Sequence, residues 1–214
     1  MKVIVAIIVY DRLHNIENWI RCWSMCEQHG AEFMIIHNYD TEAQQIPFRT
    51  LCDTNNVKYI PRKNVGMDIG ALQDIFRGRL EGFPNEWDYL FWCPDDTIPM
   101  SKKFLTHYLR SIGTGVVCLE ISKEVKIHIR TCAFMIDQGT ASQINFPADP
   151  ITTKLECYQF EHRSPNAFFE QVRKLGKSIV QIHPDLKQSY LWDTHCRANV
   201  RRWAHHYHEF PKNE

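Results

Sequence analysis

"VIVAIIV", residues 3–9, is an unbroken apolar run, β-branched except at Ala6. A strand with one solvated face alternates apolar and polar residues, whereas a continuous run is the pattern of a parallel strand covered on both faces. "YDR" (10–12) interrupts it too soon for a bilayer span, and no small-residue cleavage site follows, so it reads as a first strand and not a leader. Outward from it the chain alternates. "HNIENWIRCWSMCEQHG" (14–30) spaces Ile16, Trp19, Ile20, Trp23 and Cys26 for a helix stopped by Gly30. "AEFMIIHNYD" (31–40) is a second buried strand, "IPFRTLCDTNN" (46–56) a short helix and "VKYIPR" (57–62) a third strand. "NVGMDIG" (64–70) turns into the helix "ALQDIFRGRL" (71–80), and "WDYLFWCPDD" (87–96) is a fourth strand. "SKKFLTHYLRSI" (101–112) is a helix with Ser101 as its N-cap.

This alternation with short connections implies an α/β chain with a mostly parallel, doubly wound sheet and right-handed crossovers. Ligands of such sheets bind beyond the carboxyl ends of the strands. The residues expected there are Tyr10, Asp11 and Arg12; Asn38, Tyr39 and Asp40; Asn64 to Asp68; and Asp95 with Asp96. The second half differs. "GVVCLEIS" (115–122) and "VKIHIRTCAFMID" (125–137) read as an antiparallel strand pair bent over the same edge. "SPNAFFEQVRKLGKSIVQI" (164–182) is a helix with Ser164 as N-cap, Pro165 at its first position and Gly176 at its end, followed by a strand. "DTHCRANVRRWAHHYHEF" (193–210) reads as a terminal helix. No repeat or linker divides the chain, so residues 1–214 are expected to form one domain, with a ligand-binding half (1–100) and a second half (101–214).

Lys plus Arg and Asp plus Glu balance at 25 each, so no global field points to nucleic acid or an anionic membrane. No apolar run is long enough for a transmembrane segment, which leaves only peripheral membrane contact. The eight cysteines include no CxxC pair and sit mostly in apolar stretches, where they read as small reduced hydrophobes of a cytoplasmic protein.

Two adjacent aspartates after an apolar strand repel one another, and burial raises the cost of their charge. Asp95 and Asp96, flanked by Pro94 and Pro99, are either a plain acidic turn or a site for Mn²⁺ or Mg²⁺ held by carboxylates and substrate phosphates. "NVGMDIGAL" brackets a strand-to-helix turn with Gly66 and Gly70. It either faces an anion at the helix start or is a tight turn capped by Asp68. Asp40 either accepts from a base or ribose, or closes an Asx-type turn before Thr41.

Taken in order, "VIVAIIVYDRLHNIENWI", "FMIIHNYD", "NVGMDIGA" and "YLFWCPDDTIPM" resemble the nucleotide-sugar-dependent glycosyltransferases of the GT-A fold. The nearest likeness is to the branch containing rhamnan-synthesis protein F and related bacterial or viral polysaccharide enzymes. The resemblance spans residues 3–100 well and the remainder in outline. It implies sugar transfer from a nucleotide diphosphate donor, UDP-linked or similar, to a glycan or other hydroxyl acceptor, usually aided by Mn²⁺ or Mg²⁺. By the resemblance, Tyr10 and Asp11 line the base pocket and Asp40 faces the base, while Asn64, Gly66 and Asp68 lie beside ribose and sugar. Asp95 and Asp96 stand at the family's Asp-x-Asp motif, from which this chain departs: Cys93 occupies the first position, with Asp96 as the substitute.

An inverting transfer needs a base for the acceptor proton. In the family it precedes the helix read here at 165–175, which makes Glu161 the first candidate and Glu156 the second, with His162 adjacent. His195 or His128 would complete the metal shell. His205, His206 and His208, with Arg197, Arg201 and Arg202, read more simply as a solvated helix face, and Trp192 and Trp203 as core. Two rivals remain open: a nucleotide- or glycan-binding module without turnover, favoured by the broken Asp-x-Asp, and a metal-dependent phosphohydrolase using Asp95 and Asp96.

Overall fold

β1 (Val3–Val9) is buried along its whole length, with Val5 and Ile7 packed into one apolar layer and Ile4, Ala6 and Ile8 into another. Burying one Val or Ile side chain stabilises by about 1.5–3 kcal/mol, so a strand buried on both faces anchors both layers at once. The structure, a computed structural model, describes residues 1–99, 101–123, 125–182 and 191–193.

After β1 come α1 (Leu13–Met25), β2 (Glu32–Tyr39), α2 (Glu42–Thr54), β3 (Lys58–Lys63), α3 (Met67–Phe76), β4 (Tyr89–Pro94), β5 (Thr97–Pro99) and α4 (Phe104–Ser111). The second half adds β6 (Gly115–Cys118), β7 (Ile121–Ser122), β8 (His128–Ile129), β9 (Phe134–Asp137), α5 (Gln138–Ala141) and α6 (Lys154–Tyr158). A π-helical turn (Gln159–Arg163), α7 (Phe168–Lys174), β10 (Ser178–Gln181) and β11 (Leu191–Asp193) complete the described elements. The main sheet has seven strands in the order β10-β6-β9-β4-β1-β2-β3. All its pairings are parallel except those of β9, which runs antiparallel to both β4 and β6. β5 pairs with β11, and β7 with β8, as small antiparallel pairs outside it.

The layer against Val5 and Ile7 contains Trp19 and Trp23 of α1, Phe48 of α2, and Phe104 and Tyr108 of α4. The opposite layer contains Leu72 and Ile75 of α3, Phe160 of the π-helical turn, and Phe168 and Val172 of α7. Seven cysteines among the described residues are free thiols, and six of them are buried.

Several element boundaries differ from those expected. α1 ends at Met25, before Gly30, which lies in the turn to β2. α2 begins four residues earlier than expected because Thr41 and Gln44 form a reciprocal capping box. α3 starts inside "NVGMDIG", after Gly66 in the left-handed region. Ser101 and Ser164 are not helix N-caps. Their hydroxyls accept the N–H groups of Lys103 (3.2 Å) and Asn166 (3.0 Å), closing short turns, and the N-caps are Lys103 and Ala167. The two stretches pair antiparallel as expected: β7 and β8 form the small pair outside the main sheet, while β6 and β9 lie within it.

The two halves approach closely at Gly66 (φ 71°), where an added Cβ would lie 2.3 Å from the Ile151 carbonyl oxygen. Gly66→Ala combines left-handed strain with that clash and is expected to destabilise by about 2–5 kcal/mol. Gly78 also has positive φ but open space around it, so Gly78→Ala is expected to cost only about 1–2 kcal/mol. Urea denaturation of the two variants checks the difference; equal losses would show that the Ile151 contact is not limiting.

Candidate functional site

β1 leads through α1 to β2 on one side, while β4 flanks β1 on the other, so the strand order reverses between β1 and β4. Crevices at such reversals are where open α/β sheets bind ligands. Arg12 leaves the end of β1 as the N-cap of α1, and the Asp95 N–H donates to the Ile8 carbonyl (2.9 Å) at the end of β4. The Arg12 guanidinium grips Asp95 in a fork, Nε to Oδ2 at 3.0 Å and Nη2 to Oδ1 at 3.0 Å, while Asn15 donates its amide to Oδ2 at 2.7 Å. Arg12 Nη1 is also 3.4 Å from Asp96 Oδ2. Asp95 and Asp96 form a tight turn between β4 and β5, and both are buried. Burial pushes the Asp95 carboxyl up to about 6; Arg12 and then Asn15 pull it down, and Asp96 adds a smaller upward push.

The Asn64–Gly70 loop is held from below. Arg62 donates from Nε to Asp74 (2.8 Å), from Nη1 to Asn38 (3.0 Å) and from Nη2 to the Val65 carbonyl (2.8 Å). Asn38 in turn donates to the Met67 carbonyl (2.9 Å). Gln73 of α3 clamps the second half onto this loop, donating to the Ala148 carbonyl (2.7 Å) and accepting the Ile151 N–H (2.8 Å). The Cys157 thiol donates to the Gly66 carbonyl (3.5 Å). These contacts pack the segment that leads through α6 into the π-helical turn against α3, and the charge of Glu161 reaches Asp68. The half-buried Asp68 carboxyl is pushed up to about 6, first by desolvation and then by the negative charges of Glu161 and Asp96, against the lowering effect of the Ile69 N–H. Glu161 is half-buried and accepts long bonds from the Thr131 N–H (3.4 Å) and hydroxyl (3.3 Å). π-helical turns are rare and concentrate at functional sites.

Tyr10 and Asp40 meet where β1 and β2 end, the tyrosine hydroxyl donating to the aspartate. Beneath them the buried His37 donates from Nε2 to the Tyr10 carbonyl (2.9 Å) and accepts the Tyr59 hydroxyl at Nδ1 (2.8 Å), a neutral tautomer. Burial lowers its pKa. Asp11 is exposed, and Asn64 donates its N–H to the Tyr39 carbonyl (2.9 Å). Glu156 is occupied in the capping box of α6, accepting from the N–H groups of Thr152 and Thr153. His128 is buried and donates from Nδ1 to the Lys126 carbonyl (2.8 Å). Asp193 ends β11 and does not begin a helix; the rest of the expected helix, 194–210, with His195, His205, His206, His208, Arg197, Arg201, Arg202 and Trp203, and the side chain of Trp192 lie outside the described residues.

Three residues that build the site were not singled out in the sequence: Asn15, Arg62 and Gln73. Asn15 and Gln73 carried a signal, since each is a polar residue on the apolar face of its helix and so needs an internal partner.

No family model matches the chain, and no curated protein does either. Solved structures do. One is the mannosyltransferase PcManGT from Pyrobaculum calidifontis in complex with GDP-Man and Mn²⁺, with TM-score 0.59 and 11% identity over 86% of this chain and 55% of that one. Another is a mutant Drosophila β-1,4-galactosyltransferase 7 with manganese, UDP-Gal and xylobiose, with TM-score 0.55 and 11% identity over 100% of this chain and 77% of that one. S. aureus TarS matches with TM-score 0.55 and 10% identity over 91% of this chain and 60% of that one. The fold is that of the GT-A glycosyltransferases. The chain spans little more than half of the mannosyltransferase's length.

Within this GT-A sheet the donor set suits a hard divalent cation. One guanidinium faces the two aspartates, and Asp68 and Glu161 add negative charge close by. Among the described residues no three His, Cys, Asp or Glu side chains gather closely enough to hold a metal alone. One or two carboxylates completed by phosphate oxygens is the usual arrangement for such cations.

Asp68 makes stability pH-dependent. Its folded pKa lies above the unfolded value, so the folded chain keeps a proton that the unfolded chain has lost. This group's contribution is most favourable below about pH 4 and declines as pH rises through about 6. Asp68→Asn is therefore expected to be more stable than the parent at pH 8, on the order of 1–2 kcal/mol, with the gap closing toward pH 4. Denaturant melts at both pH values check it; no gain at pH 8 would mean that Asp68 is well solvated.

Proposed function

We propose that the chain is a nucleotide-sugar-dependent glycosyltransferase whose donor lies across the β1–β4 crevice. The observation that supports it most is the cluster of Arg12, Asp95 and Asp96 at that reversal point of a GT-A sheet, with the charges of Asp96 and Glu161 both reaching Asp68. Residues 1–100 bind the nucleotide side of the donor, with Tyr10, Asp11 and Asp40 at the base and Asn64, Gly66 and Asp68 beside ribose and sugar. Residues 101–214 form the acceptor side, and the acceptor is a glycan or another hydroxyl compound.

Mn²⁺ or Mg²⁺, held by Asp96 and the diphosphate, with His195 as a further candidate and the first-expected Asp95 already engaged by Arg12 and Asn15, would neutralise charge on the leaving group. Glu161 takes the acceptor hydroxyl proton, and the long bonds from Thr131 leave its carboxylate available for that role. Transfer then inverts the anomeric carbon. Among the described residues no helix is long and apolar enough to cross a membrane. We place the protein in the cytoplasm, with peripheral contact to a membrane-bound glycan as one mode of acceptor delivery.

Thermal melts with a panel of UDP-, GDP- and dTDP-sugars, with and without Mn²⁺, test the donor. At a hundredfold excess over Kd the correct donor is expected to raise Tm by about 5–10 °C, and its labelled sugar should appear on a glycan acceptor. A donor that binds and never turns over marks a binding module, the alternative favoured by Cys93 at the Asp-x-Asp position. Phosphate release from simple esters without sugar transfer marks a phosphohydrolase. Glu161→Gln is expected to lower kcat by roughly 10²–10⁴ while donor affinity is retained; transfer at the parental rate would remove Glu161 from proton transfer.

A further inference from the structure

We propose that Arg12 is the protein's own cation for the donor diphosphate, and that Asp95 is its positioning residue and not a metal ligand. This rests on the donor-site reading above. Both carboxylate oxygens of Asp95 are engaged, one by Arg12 Nη2 and the other by Arg12 Nε and the Asn15 amide, at 2.7–3.0 Å. A carboxylate so fully used has little left for a metal ion, but it fixes a guanidinium in one plane. Asn15 comes from the buried face of α1 and the Asp95 N–H is tied to Ile8, so both ends of the fork are built into the sheet edge.

The other half of Arg12 is available. Three of its N–H directions point at Asp95 and Asp96, and 39% of its side chain remains open to solvent, against 3% for Asp95. A guanidinium carries five N–H donors in a rigid fork, so two remain for a ligand, and the geometry suits phosphate oxygens. The location is the sheet end between β1 and β4, where the strand order reverses and open α/β sheets bind their ligands. The assignment also gives a physical account of Cys93. With Asp95 committed to Arg12, only Asp96 of the acidic pair is left to meet a divalent cation, and a second acidic residue at position 93 would have no guanidinium to face. Cys93 is buried, and its one S–H faces the Pro94 and Thr97 carbonyls, 3.2 and 3.4 Å from Sγ, inside the turn.

The test is titration calorimetry of the full chain with UDP, GDP and the matching nucleosides, in Mn²⁺ and in chelator. Four proteins are compared: parent, Arg12→Gln, Arg12→Lys and Asp95→Asn, each checked for an intact melt. The expected result is that Arg12→Gln and Asp95→Asn each weaken diphosphate binding by about tenfold or more in both buffers. Nucleoside affinity stays at the parental value, and the fold-gain from Mn²⁺ is preserved. Arg12→Lys should recover part of the loss, because it keeps the charge and loses the fork.

A purely structural ion pair would lower the melting temperature of these variants without changing diphosphate affinity, and that outcome overturns the proposal. Loss of the Mn²⁺ gain in Asp95→Asn, with chelator binding unchanged, would make Asp95 a metal ligand and also overturn it. If the parent binds neither UDP nor GDP in either buffer, the donor-site reading fails and takes this inference with it. Binding that is indifferent to Arg12 sinks the inference alone.

Discussion

The carbonyl of Ile151 lies where a Cβ of residue 66 would have to be, and the arrangement of the site follows from that closeness. Only glycine lets two backbones approach so far, and here the approach joins the loop after β3 to the segment that leads into α6. Gln73 holds the same segment from the helix side with two hydrogen bonds, and Cys157 adds a third contact to Gly66. Glu161 lies a few residues further on, in the π-helical turn. The two carboxylates repel, so backbone packing and not their own attraction holds Glu161 within reach of Asp68's charge.

That repulsion has to be met elsewhere. The central strands β1 and β4, apolar and buried, leave no room for charge within them, and this chain places Asp95 and Asp96 where they end. Desolvation raises the cost of each negative charge, and like charges raise it further, as the upward shifts of Asp68 and Asp95 reflect. Arg12 offsets part of this. The remainder is an electrostatic demand for a cation, which a diphosphate donor accompanied by a metal ion would meet. Proteins commonly retain such locally unfavourable arrangements where binding relieves them.

The strands and most helices were readable because their evidence is local. The runs at 3–9, 31–40 and 87–94 have no alternation, and each became a parallel strand of the main sheet. The position of Asp95 and Asp96 at a strand end was equally readable. What Asp95 touches was not, since Arg12 is 83 residues away and the two meet only once β1 and β4 are neighbours. No apolar periodicity marks α6, although Thr153 and Glu156 spell its capping box, and an acid in such a box reads equally as a chemical group. Ser101 and Ser164 misled in the opposite way: a serine before an apolar helix is a frequent cap, but here each closes a turn of its own. The strand pair of the second half was visible, yet its insertion beside β4 depends on pairing that no local pattern encodes.

The reversed direction of β9 has one more consequence. β6 ends, and β9 begins, at the same edge of the sheet, so the excursion between them departs and returns on the side of Glu161, which Thr131 touches. A parallel strand in that position would need a crossover to the far edge and back. The excursion's own β7–β8 pair and the buried Ile129 tie it down, so what reaches Glu161 from this side is a braced hairpin and not a loose loop.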